Sequence, residues 1–184
     1  MSRIHQIVPE TATGKAKELL ATVQQAFGMV PNTARVMANS PAVLDSFLAF
    51  STAMGGARIG TKLHNQLKLT TSETNSCSYC TSILSAVAPS AGLTVEDVLA
   101  GRTGHSEDRH TKAALGFAND VLESRGKVSD KQLAAVREAG FGDAEIVEIV
   151  ASVVLGCFTN FLNNVADTDF DIPKAEPLAA RSIS

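Results

Sequence analysis

Apolar residues recur at helical spacing along nearly the whole of this chain, and no alternating apolar/polar run of strand length interrupts them. No Asn-Gly or Asp-Gly hairpin turn appears either. The expected fold class is therefore all-α. Ala16, Leu19, Leu20, Val23 and Phe27 form one stripe over residues 14–27, which stops at Gly28 before a Val30-Pro31-Asn32 turn. A short helix over 33–38 follows, and then Ser40-Pro41 opens another that carries Leu44, Phe47, Leu48 and Phe50 as far as Gly55-Gly56. Leu63, Leu67 and Leu69 support a helix over 61–75, although Thr70, Thr71 and Ser72 are poor helix formers that need tertiary support.

A break near Asn75-Ser76 is expected, with Ser76 capping a new helix that runs to Ala88 before Pro89. Thr94-Val-Glu-Asp caps a short helix ending at Gly101, and residues 102–108 read as a polar surface loop. Ala113, Ala114, Phe117, Val121 and Leu122 share one face of a helix over 110–123, and Ser129 opens the next by a capping box. The last helix, 143–165, is apolar nearly all round between Ile146 and Phe161, as befits a central or interface helix. One domain spans 1–173, and residues 174–184 read as a flexible tail.

The chain has 184 residues, 45% of them hydrophobic, enough for one globular core. Sixteen basic residues against nineteen acidic ones give a net charge of −3, which argues against nucleic acid as a partner. Only 19% of residues are charged, so part of the surface is expected to be covered by further copies in a homo-oligomer. No uncharged apolar run reaches membrane-spanning length, and the first residues lack the apolar core of a secretory signal. The expectation is a cytoplasmic protein without a membrane partner.

Chemistry concentrates at Cys77-Ser78-Tyr79-Cys80. A loop that short is a poor structural staple, because a disulfide's effect on the unfolded chain shrinks with loop length. In a cytosolic chain the spacing points to redox chemistry or metal binding. On a helix the two side chains project about 60° apart, which permits a reversible disulfide. A helix start also stabilises a thiolate. Zinc would need further ligands, and neither a second C-x-x-C nor a paired histidine follows, so no metal is expected. A purely structural cysteine pair is the remaining alternative. Cys157, flanked by Val153, Val154, Leu155 and Phe158, reads as core.

The stretch Leu63-His-Asn-Gln-Leu-Lys-Leu-Thr-Thr-Ser-Glu-Thr-Asn-Ser-Cys-Ser-Tyr-Cys resembles the signature of the carboxymuconolactone decarboxylase superfamily, in its alkylhydroperoxidase D-like (AhpD-like), peroxidase-related branch. Gly28-Met-Val-Pro-Asn-Thr-Ala-Arg, Ser40-Pro-Ala-Val-Leu and the segment from Asp143 through Asn163-Asn164 extend the resemblance over roughly residues 7–173. It implies an all-helical, oligomeric AhpD-like bundle. It also implies a dithiol that reduces hydroperoxides with Cys80 as attacking thiol and Cys77 as resolver, and a thiol/disulfide electron donor as partner. The sequence holds no Gly-rich phosphate loop after a strand and no haem or flavin signature, so no cofactor is expected.

The same resemblance implies a proton relay of a glutamate twelve residues before the first cysteine and a histidine four after the second. Here those positions hold Asn65 and Leu84, neither of which can take a proton. His64, about 100° round the helix from Asn65, is expected at a surface or interface. Glu73 is expected to be solvated, and Tyr79 to pack. The hydroxyls of Ser78, Thr81 and Ser82 are candidates to hydrogen-bond a thiolate. His105 and His110 flank the polar loop with no assigned role. Three readings compete: a weak dithiol peroxidase or disulfide oxidoreductase, a non-catalytic redox-sensing or binding oligomer, and a decarboxylase of the founding type.

Overall fold

The structure, a computed structural model, describes residues 1–178. The described residues form nine α-helices and no strand: α1 (Gly14–Phe27), α2 (Asn32–Met37), α3 (Pro41–Met54), α4 (Gly60–Thr74), α5 (Ser78–Val87), α6 (Val95–Thr103), α7 (Arg109–Ser124), α8 (Asp130–Glu138) and α9 (Asp143–Ala166). Short 3-10 turns lie at Pro9–Thr11 and Ala88–Ala91. α6 runs further than expected, taking Arg102 and Thr103 out of the polar loop and onto a helix.

Caps mark the boundaries. α1 ends as Gly28 turns left-handed and its N–H reaches the Gln24 carbonyl at 2.9 Å. Thr94 and Ser129 open α6 and α8 with reciprocal capping boxes to Asp97 and Gln132.

α4 is the hub, touching α5, α6, α7 and α9. Leu63 and Leu67 enter a core shared with Leu115, Phe117, Ile149 and Val153. Its hydroxyl run survives because it is buried and bonded. Thr70 donates to the Gly101 carbonyl at 2.6 Å, Thr71 to Leu67 at 2.8 Å and Ser72 to Lys68 at 2.8 Å. These short side chains let neighbouring backbones come close. A Cβ on Gly101 would lie 3.0 Å from Gln66 Cα, and one on Gly156 would lie 2.9 Å from Thr71 Cγ2. A second core joins α1, α2 and α3 through Leu19, Leu20, Val23, Met37 and Leu44, and Leu162 of α9 packs against it.

By length and composition alone α9 could cross a membrane. Ser152 and Asn160 are nonetheless fully buried, and the helix packs on α2, α3, α4, α5 and α7, which makes it the core helix. Its outer face leaves Val147, Val154, Phe158, Phe161 and Val165 exposed. After α9 the chain continues without regular structure across α5: the Ala175 N–H donates to Ser82 Oγ at 2.9 Å, and the Glu176 carbonyl accepts from Arg102 at 2.8 Å. Residues 174–178 of the expected tail therefore lie bonded against the domain. Residues 179–184 lie outside the described residues.

Candidate active site

The joint between α4 and α5 presents the cysteine pair. Asn75, Ser76 and Cys77 turn the chain through N–H bonds to the carbonyls of Thr71, Glu73 and Ser72 at 2.9, 3.0 and 2.9 Å. Ser76 takes the left-handed conformation that ends a helix (φ 51°), so it is not the cap that the sequence suggested. Cys77 is the cap: its Sγ accepts from the Cys80 N–H at 3.3 Å. Cys77 and Cys80 form a disulfide with Cα atoms 5.3 Å apart, and the two residues are 1% and 2% exposed. Ile83 and Phe170 pack on them.

α9 meets this joint with amides. Asn163 Nδ2 donates to Cys80 Sγ at 3.3 Å and to the Thr159 carbonyl at 2.9 Å. Thr168 Oγ1 donates to Asn163 Oδ1 at 2.8 Å, which fixes the amide with its N–H side toward the sulfur. Asn75 Nδ2 donates to Asn160 Oδ1 at 3.0 Å, and Asn160 Nδ2 to Ser72 Oγ at 3.0 Å. Asn75 also reaches Cys157 Sγ at 3.5 Å, and Asn164 Nδ2 donates to the Asn75 carbonyl at 3.0 Å. Cys157 is half-buried, and burial pushes its thiol above the ordinary range. The sequence assigns no role to these amides, although polar amides recurring on the apolar α9 are the available signal.

Tyr79 both packs and bonds. Its hydroxyl donates to Asp171 Oδ1 at 2.9 Å and accepts from the Thr33 N–H at 3.3 Å, while Asp171 Oδ2 accepts from the Asn32 N–H at 2.6 Å. Burial, then the Asp171 charge, raise its phenol well above the usual value. The ring tilts against Phe170 at 5.8 Å between centroids, and Lys174 caps Phe170 at 4.5 Å.

Neither relay position supplies a proton acceptor. Asn65 Nδ2 turns back to the Thr61 carbonyl at 2.9 Å, and Leu84 is a half-buried side chain on α5. His64 overturns the expectation of a surface residue: it is 6% exposed, with Nδ1 2.8 Å from Ser152 Oγ. Ser152 spends its own proton on the Glu148 carbonyl, so Nδ1 of His64 must be the donor. Desolvation, then the neighbouring Lys68 charge, lower its pKa to about 4. Desolvation also lowers Lys68 to about 8. His64 lies about 12 Å along α4 from Ser72, on the face against α9.

Glu73 is not solvated as expected: its carboxylate holds Arg102 Nε at 2.6 Å, and both are partly buried. Above them opens a cleft of about 310 Å³ lined by Ser72, Cys77, Thr81, Arg102, Ala175 and Pro177, with Ser78 at its edge. A larger cleft of about 450 Å³ lies between α6 and residues 105–108 and contains neither cysteine. His105 there is exposed and 3.3 Å from Glu107, while His110 stacks on Phe141 at 3.8 Å. No group of three His, Cys, Asp or Glu side chains converges as a metal site among the described residues.

No protein-family description matches the chain, and no curated protein does. Solved structures do. The alkylhydroperoxidase AhpD core, a peroxidase-related protein from Ralstonia eutropha JMP134, superposes with a TM-score of 0.79 at 22% identity, covering 91% of each chain. A peroxidase-related protein from Silicibacter sp. TM1040 gives 0.74 at 19% identity over 84% of each chain. The debrominase Bmp8 gives 0.78 at 20% identity over 92% of each chain. These likenesses agree with the sequence's resemblance to the alkylhydroperoxidase D-like branch. The nine helices and the Cys77–Cys80 joint are thus arranged in the all-α AhpD-like fold of the peroxidase-related proteins.

Proposed function

We propose that this protein is a dithiol/disulfide oxidoreductase in which Cys77 and Cys80 cycle between thiols and disulfide, reducing a hydroperoxide or a disulfide slowly. The observation that carries the reading is the closed pair at the start of α5 with an oriented amide on Cys80. A Cys80 thiolate displaces alkoxide or hydroxide from the peroxide oxygen it attacks and becomes a sulfenic acid. Cys77 then displaces water from that sulfur and closes the disulfide. Two electrons leave the dithiol, and a thiol donor returns them.

The rate is limited by the missing bases, since general acid–base groups contribute about 100- to 10,000-fold. Peroxide turnover with a thiol donor tests this: Cys80→Ser abolishes it, and Asn65→Glu with Leu84→His raises it at least about tenfold. No Cys77–Cys80 disulfide by mass spectrometry after peroxide, with turnover unchanged in Cys80→Ser, would leave the non-catalytic redox-sensing or binding oligomer as the better reading. Turnover of a carboxymuconolactone would favour the decarboxylase. Since a cysteine-to-alanine form of the debrominase Bmp8 is seen with 2,3,4-tribromopyrrole, a bromopyrrole belongs among the candidate oxidants assayed.

The functional unit is proposed to be a cytoplasmic homo-oligomer, a dimer, trimer or hexamer, that uses the outer face of α9. Val147, Val154, Phe158, Phe161 and Val165 follow one another at intervals of seven, four, three and four residues, the spacing of a helix–helix seam. The same seam on a second copy is its natural complement.

A further inference from the structure

The two sulfurs of the disulfide are not equivalent, and their surroundings assign different roles in its reduction. Cys77 lines the cleft of about 310 Å³, at the end where Ser76 and Ser78 are exposed to solvent. Cys80 is absent from that lining and faces the interior, where Asn163 donates to its sulfur at 3.3 Å. The amide cannot swing away without giving up the Thr168 bond to Oδ1 and its own bond to the Thr159 carbonyl. We propose that a small thiol enters this cleft and attacks Cys77 Sγ, releasing Cys80 as a thiolate that Asn163 holds by hydrogen bond.

The inference rests on the redox reading of the pair and adds a direction to it. The incoming thiolate forms a bond to Cys77 Sγ as the Cys77–Cys80 bond breaks, and the electron pair of that bond goes to Cys80. A second thiol, deprotonated, then attacks the reductant's sulfur in the mixed disulfide and frees Cys77. Two thiols are oxidised to one disulfide, and the protein disulfide is reduced. Three features favour this order. The start of α5 attracts an approaching anion to Cys77 rather than to the interior. A leaving thiolate departs faster when a donor stays on it, and Cys80 keeps the Asn163 amide while Cys77, under attack, keeps the Cys80 N–H. The cleft, walled by Ala175 and Pro177, is at the low end of small-ligand sites, which suits a low-molecular-weight thiol.

The test uses glutathione and its disulfide as probes on the full chain. In the reverse direction, glutathione disulfide should modify Cys77 in Cys80→Ser at least about tenfold faster than it modifies Cys80 in Cys77→Ser, with fragment mass spectrometry separating both from Cys157. Equal rates, or faster modification of Cys80, would overturn the proposal. Asn163→Leu should slow reduction of the wild-type disulfide by glutathione about tenfold and move the alkylation profile of Cys80 to higher pH. Thr168→Val, which keeps the amide but frees it to turn, should do the same to a lesser degree. If folded Asn163 and Thr168 variants keep the wild-type alkylation profile, Asn163 is only structural and the assigned leaving-group role fails. A disulfide that no thiol reduces would instead sink the redox reading itself.

Discussion

Between pH 7 and 4, acidification should destabilise this protein chiefly through the buried His64. It is neutral in the fold, buried, donating through Nδ1 to Ser152 and faced by the Lys68 charge, so its pKa falls from 6.5 to about 4. The unfolded chain takes up the proton near 6.5 while the folded chain refuses it until about 4. The stabilisation is therefore complete above pH 6.5 and is lost progressively as the pH falls toward 4, by roughly 3 kcal/mol in all. Urea unfolding followed by circular dichroism at a series of pH values reads this directly. His64→Asn keeps a donor near the position of Nδ1 but cannot titrate. Carboxylates contribute equally to both proteins, so between pH 7 and 4 the variant should lose about 3 kcal/mol less than the wild type. Parallel pH curves would refute a neutral buried His64. Lys68 works at the other end of the scale. Its pKa, lowered to about 8, makes stability rise between pH 8 and 10.5, and Lys68→Met should flatten that rise.

Ser76→Gly should raise stability by about 1 kcal/mol, because a residue at φ 51° pays for its Cβ; an unchanged urea midpoint would show that the turn carries no such penalty. Tyr79→Phe should cost about 1–3 kcal/mol by removing the buried hydroxyl's bonds to the Asp171 carboxylate and the Thr33 N–H. Because its folded pKa is raised, the single tyrosine should resist ionisation at pH 10 until the chain unfolds, with stability falling as pH rises past 10, which ultraviolet titration checks. If the proposed homo-oligomer forms through the outer face of α9, Phe161→Glu should reduce its mass by light scattering to that of a monomer with unchanged helicity, and a variant of wild-type mass would exclude the α9 seam.

Much of the helix order could be read from periodicity and caps, because Gly28, Pro41, Thr94, Ser129 and Gly140 act locally and need no tertiary information. The C-x-x-C at a helix start was equally legible. What escaped was set by partners distant in sequence. His64 was expected outside because consecutive residues diverge on a helix, yet α4 is covered on so many sides that diverging from Asn65 means facing α9. Glu73 was expected in water, and its partner Arg102 came inward only because α6 continues two residues past Gly101. Ser76 has the residue type of a cap, but its backbone closes α4 and leaves the capping to a sulfur. Asn163 lies within the stretch that carries the resemblance, which assigns it no role. Its contact with Cys80 spans 83 positions, which no local pattern encodes.

The segment that leaves α9 and crosses α5 has a consequence for how the centre comes into being. Thr168, Asp171 and Ala175 bond to Asn163, Tyr79 and Ser82, and Asp171 also holds Asn32 across 139 positions. The shelter around the sulfurs is thus knitted from both ends of the described chain. During synthesis, Cys77 and Cys80 emerge well before the residues that enclose them. Until those residues arrive, the nascent pair stands open to any oxidant in its surroundings.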